Sequence, residues 1–154
     1  MARGEKRSAA RLAAVQALYQ MDIAGKGLAE AMAEFEAHWI GREVEGVAFR
    51  PAEAAFFRDI LTGVIREQTA VDRRIDAALA QGWPLKRVEA VLRAVLRAGA
   101  YEILYRRDVP VRAAISEYVD VARAFYGDDE PGLVNAVLDA VARETRGDEL
   151  EKRA

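Results

Sequence analysis

Along nearly the whole chain the apolar residues recur at intervals of three and four, and no stretch alternates strictly as a strand would. Such a period turns one helical face toward a core. Leu12, Val15, Tyr19 and Ile23 make the first apolar stripe. Gly-Lys-Gly at 25–27 ends it, because glycine enters the left-handed cap conformation at little cost. A second helix is expected from Leu28 to Ile40, closed by Gly41, and GREVEGVAFR at 41–50 reads as a loop. Pro51, Pro84, Pro110 and Pro131 each stand at or near the start of an apolar-periodic run. Proline suits a helix's first turn, where its missing N–H would have no partner, so all four read as start marks.

From Pro51 the helical pattern runs to about Gln81, with a break expected near Thr69. Gly82–Pro84 marks a boundary between packed elements. The helix after it carries Val88, Val91, Leu92, Val95, Gly99 and Ile103 on its inner face. Helices from about Val111 to Phe125 and from about Pro131 to Arg143 complete the set, with Leu96, Tyr101, Leu138 and Val141 as expected core. The charged tail at 145–154 is expected to be disordered. The predicted fold class is all-α, a compact bundle of about seven helices, with residues 1–144 as one domain.

Charge changes this picture more than composition does. The net charge of the 154 residues is −2, which argues against the bulk nucleic-acid affinity of a basic domain. Yet residues 1–11 hold Arg3, Lys6, Arg7 and Arg11 against Glu5 alone, and residues 28–45 hold five glutamates against Arg42. Residues 86–107 are basic again, so any nucleic-acid site is a local patch. There is no cysteine, which removes disulfides, thiolate metal sites and a cysteine nucleophile, and is compatible with a reducing, cytoplasmic setting. No apolar run approaches the ~20 residues of a membrane span. The charged N-terminus also lacks the apolar core of a signal peptide.

Reagents for catalysis are scarce. His38 is the single histidine, Ser8 and Ser116 are the two serines, and neither serine lies in a strained strand-to-helix turn. Phe35 stands three residues before His38, so the Glu-x-x-His pair of carboxylate-bridged metal bundles is missing. GxxxxGK is absent too. No catalytic residue, metal site or cofactor is expected.

Binding is better served. Arg3, Arg7 and Arg11 repeat every four residues and so range along one side of the first helix, beside its apolar stripe. Guanidinium groups bind phosphate bidentately and stack on bases, so this edge could track an RNA backbone or remain a solvated basic end. The turn Tyr126–Gly132 places Asp128, Asp129 and Glu130 before the last helix. They can complement its dipole, or accept hydrogen bonds from exocyclic amines of unpaired bases. Asn135, the single asparagine, sits one turn into that helix and either bonds a neighbouring loop or meets RNA.

Several segments in order resemble the NusB family. RLAAVQALYQMD at 11–22 resembles its first helix, FRDILTGV at 57–64 is a weaker match, and VLRAGAYEIL at 95–104 is similar to its Leu-Arg-x-x-x-Tyr-Glu-Leu helix, with Trp83 before it. DVPVRAAISEYVDVARAFYGDDEPGLVNAVLDAVARE at 108–144 is similar to its C-terminal signature. The resemblance implies two small helical subdomains, three helices (about 1–68) then four (about 69–144). It also implies a non-enzymatic antitermination factor that binds boxA-like single-stranded RNA of ribosomal RNA operons. The implied partners are NusE, a small-subunit ribosomal protein, and the RNA polymerase antitermination complex. A protein-interaction module or homodimer without RNA binding is the alternative. NusB-like domains also occur ahead of ribosomal RNA methyltransferases, but no glycine-rich nucleotide-binding segment follows here, so a stand-alone factor is expected.

By resemblance the RNA surface comprises Lys6, Arg7, Arg11 and Tyr19 on one side and Asp129, Leu133 and Asn135 on the other; the repeat of four adds Arg3, and Leu133 is expected to face the arginines of the first helix. Four positions depart from the family. Leu133 stands where the family often has phenylalanine, Gly132 replaces a basic residue, Ala136 follows Asn135 in place of glycine, and Ser116 stands in place of asparagine. Weaker affinity for RNA alone and greater dependence on the partner protein follow.

Overall fold

The computed structural model describes residues 3–38, 43–44, 47–48, 51–79, 85–127 and 129–151. Among them are seven α-helices: α1 (Arg3–Ala24), α2 (Leu28–His38), α3 (Pro51–Arg66), α4 (Gln68–Ala78), α5 (Ala90–Tyr105), α6 (Val111–Phe125) and α7 (Asp129–Glu151). The class is all-α. A small exception lies inside the expected loop, where β1 (Glu43–Val44) and β2 (Val47–Ala48) pair antiparallel. The closing Ile40–Gly41, the end at Gln81 and the Gly82–Pro84 boundary with Trp83 lie outside the described residues. No described helix is long and apolar enough to cross a membrane.

The helix ends follow local chemistry. Gly25 closes α1 with a positive φ of 68°, and its N–H bonds the Met21 carbonyl at 3.1 Å. The break expected near Thr69 falls at Glu67, between α3 and α4. Pro110 sits at the N-cap of α6, whereas α7 begins two residues before Pro131.

Helix α5 is the centre of the molecule and packs against α1, α3, α4, α6 and α7. Burial extends well beyond its predicted inner face: Ala94 to Leu96 and Ala98 to Ile103 are all buried. Its small residues let neighbours approach. A Cβ on Gly99 would lie 2.7 Å from Leu138, and one on Gly63 of α3 would lie 2.1 Å from the Tyr101 ring. Leu96, Tyr101, Leu138 and Val141 are buried, and the buried apolar residues form one continuous cluster from α1 to α7.

Two readings are corrected. The buried face of α1 is Ala10, Ala13, Ala14, Val15 and Leu18, with Leu12 and Tyr19 only partly covered and Ile23 57% exposed. Alanines permit close approach to α2, α3 and α5, so the larger side chains sit on the rim. The tail through residue 151 is helical rather than disordered. At a kink, buried Arg146 donates to the carbonyl of Val109 at 2.9 Å and of Arg107 at 3.4 Å, and also bonds Glu149. Glu149 accepts from the first N–H of α6, Val111, at 2.6 Å, and Leu150 is buried. The tail is ordered because it satisfies backbone groups that the α5–α6 connection leaves open.

Candidate nucleic-acid interface

The basic end of the molecule is built on the first turns of α1. Arg3 lies in the helix, but its side chain is outside the described residues. Lys6 and Arg7 are half-buried. The Arg7 guanidinium sits 4.5 Å from the centroid of the buried Phe56 ring, and Arg106 sits 5.0 Å from the same ring. Such cation–ring contacts orient a guanidinium plane and keep its charge at the surface. Arg106 also donates to Asp59 and to both oxygens of Asp108, all at 3.0 Å. This fork holds the Asp108 carboxyl below the usual carboxylate range, with Arg7 contributing.

Arg11 lies over the same Phe56 ring, 4.9 Å from its centroid, but turns inward from the edge. It is 4% exposed, and its Nε and Nη2 donate to the two oxygens of Glu102 at 2.7 and 2.9 Å. Its Nη1 donates to Glu117 at 2.8 Å, and Ser8 donates to the same Glu117 oxygen at 2.5 Å. The physical reason lies in α5: Glu102 is fully buried there, and a buried carboxylate needs an opposite charge and donors. Burial would lower the Arg11 pKa, but the bonds to Glu102 and the surrounding negative charge raise it instead. The repeat of four puts Arg11 on the same side as Arg7, and α5 and α6 cover that side at Arg11.

The other predicted residues lie at the opposite end. Arg11 meets Glu102 late in α5, while Asp22 near the end of α1 accepts from Arg93 early in α5, at 2.6 and 2.9 Å. The two helices are therefore antiparallel. Helix α6 also runs against α5, from Glu117 near Arg11 to Tyr126, whose hydroxyl donates to Glu89 at the N-cap of α5. The start of α7 follows Tyr126, about 20 Å from the Arg11 level when thirteen residues of α5 are taken at ~1.5 Å each. Leu133 consequently does not face the arginines of α1, and Tyr19 is the α1 candidate closer to its level.

At this second end Asp129 is exposed in the first turn of α7, where its charge complements the helix dipole. Leu133 packs partly against the core. Asn135 is exposed and lines an open cleft of about 570 Å³ between α6 and α7, with Val119, Arg123, Tyr126, Pro131 and Gly132. Arg123 and Tyr126 are absent from the sequence-derived site. Tyr126 was legible as the first residue of the acidic turn, but only the acids of that turn announce a chemistry. Burial and the hydrogen bond to Glu89 push the Tyr126 phenol up. Burial alone would raise Glu89, but the bonds it accepts from Tyr126 and from the Val91 and Leu92 N–H groups bring it below its ordinary value.

Comparison with known proteins gives the family of this fold. The NusB family model matches residues 8–143. Transcription antitermination protein NusB of Bradyrhizobium sp. (strain ORS 278) is 63% identical over 148 residues, covering 96% of this chain and 88% of that protein. The crystal structure of T. maritima NusB superposes with a TM-score of 0.79 at 26% identity, covering 94% of this chain and 96% of that one. A chain from the crystal structure of antitermination factors NusB and NusE with double-stranded RNA shares the fold, with TM-score 0.77 at 21% identity, covering 94% and 99%. The chain belongs to the NusB family of transcription antitermination proteins.

Proposed function

We propose that this chain seeds an antitermination complex by binding boxA-like single-stranded RNA of ribosomal RNA operons together with NusE, on RNA polymerase in the cytoplasm. The observation that carries the reading is a NusB match over residues 8–143, with the basic Lys6–Arg7 pair immediately before it on the same helix. A protein of the same fold was crystallised with NusE and double-stranded RNA, which supports RNA and a ribosomal protein as the classes of partner. The proposed surface runs from Lys6 and Arg7 past the level of Tyr19 to Asp129, Leu133 and Asn135. Arg3 extends it at the N-terminal end. A stacked strand at ~3.4 Å per nucleotide covers the ~26 Å from the Arg7 level, four α1 residues beyond Arg11, in about eight nucleotides.

Two features weaken the chain's own grip on RNA. Arg11 is withdrawn into the core, and Leu133 supplies apolar contact without an aromatic face. NusE therefore supplies part of the affinity. An electrophoretic mobility shift with boxA RNA tests this directly: weak retardation by the chain alone and strong retardation with NusE are expected. No retardation in either lane overturns the reading.

A further inference from the structure

We propose that the cleft between the end of α6 and the start of α7 is a pocket for one unpaired nucleobase, stacked on Tyr126 and read by Asn135. The inference rests on the RNA-binding reading above and adds to it a ligand class and two residues, Tyr126 and Arg123, that the family resemblance did not supply. The cleft holds about 570 Å³, within the range of small-molecule sites, and is open to solvent. Its walls combine the three chemistries a base requires. Tyr126 offers an aromatic ring, Val119 and Pro131 offer apolar surface, and Asn135 and Arg123 carry the amide and guanidinium groups. Glycine at 132 leaves open space beside the backbone, since a Cβ there would meet nothing within 4 Å.

The electrostatics favour a base over a phosphate. Arg123 is held by Asp120 at 2.9 Å, Asp129 is exposed at the start of α7, and Glu130 acts on Tyr126 from the same turn. The single guanidinium of the lining is already paired with Asp120, and Glu130 adds negative charge beside Tyr126, so a phosphate gains little here. A neutral base bearing an exocyclic amine meets acceptors. Tyr126 is also fixed before any ligand arrives, because its hydroxyl bonds Glu89 at the α5 N-cap. A ring already held in place loses little freedom when a base stacks on it. This pocket supplies the aromatic face that Leu133 lacks.

The test uses the full chain with NusE and boxA RNA, in strands carrying a single 2-aminopurine at each position in turn. Tyr126→Leu is expected to weaken binding by about 5- to 150-fold, the range for losing one base–aromatic stack. Tyr126→Phe, which keeps the ring but loses the hydroxyl bond to Glu89, weakens binding much less than Tyr126→Leu. Asn135→Ala, at an exposed position, weakens binding without changing its salt dependence. One 2-aminopurine position changes its emission on binding to the parent and to Tyr126→Phe, and that change is lost in Tyr126→Leu. If the parent binds but Tyr126→Leu and Asn135→Ala bind equally well, the pocket is overturned while the RNA-binding reading stands. If the parent does not bind, the reading itself has failed.

Discussion

At Arg11 one side chain decides between two kinds of role. Its spacing from Arg7 suits a phosphate edge, but its partner Glu102 lies 91 positions away in a helix buried on most sides. Nothing local in the sequence announces that partner, so the fate of Arg11 was not legible; Lys6 and Arg7, earlier on the same helix, are half-buried. Removing one member of a buried pair leaves an uncompensated charge, so Arg11→Met should cost roughly 3–5 kcal/mol. The double variant Arg11→Met with Glu102→Leu should cost much less, because both charges leave together. Urea unfolding of the two singles and the double forms the cycle, and additive losses would show that the pair is not coupled. Glu89 makes a pH prediction. Its folded pKa is depressed, so its contribution to stability is full above the ordinary carboxylate range and fades as pH falls through the lower folded value. The melting temperature of the parent should exceed that of Glu89→Gln at neutral pH, and the difference should close in acid.

At the scale of elements, periodicity located most helices, because each shows an apolar face. It failed where burial depends on neighbours. Helix α1 uses alanines as its contact face, and a hydropathy pattern weights Leu12 and Ile23 above them. The charged C-terminal stretch carries the composition of a frayed end, yet Arg146 and Glu149 serve backbone groups of the α5–α6 connection. The structure therefore predicts that Leu150→Ala, a deletion from the buried end of α7, costs about 2–5 kcal/mol. A variant melting with the parent would mean that the last turns are not docked. Gly63→Ala tests packing from the other side. Its added methyl meets the Tyr101 ring, which bonds Asp59 at 3.1 Å, so the ring cannot move without losing that bond. Overpacking of this kind costs about 1–3 kcal/mol.

For the whole molecule, the antiparallel run of α1 and α6 against α5 separates a basic end from a cleft flanked by carboxylates, and a bound strand would meet them with different physics. In the proposed complex Lys6 and Arg7 would neutralise phosphates and release counterions, whereas Tyr126 and Asn135 would act on a base and release none. The two contributions are therefore separable in one titration against salt. Each phosphate contact adds about 0.7 to the slope of log K against log salt for single strands, so Lys6→Ala with Arg7→Ala should flatten the slope by about 1.4. Tyr126→Leu should lower the line without tilting it. Arg11→Lys, which keeps a charge for Glu102 inside the core, should leave the slope alone because Arg11 does not reach the surface. Fluorescence anisotropy of a labelled boxA strand across a salt series, with NusE held constant, reads all three. An unchanged slope in the Lys6/Arg7 variant would take the start of α1 out of contact with RNA and leave the cleft at the α7 end as the whole of this chain's site.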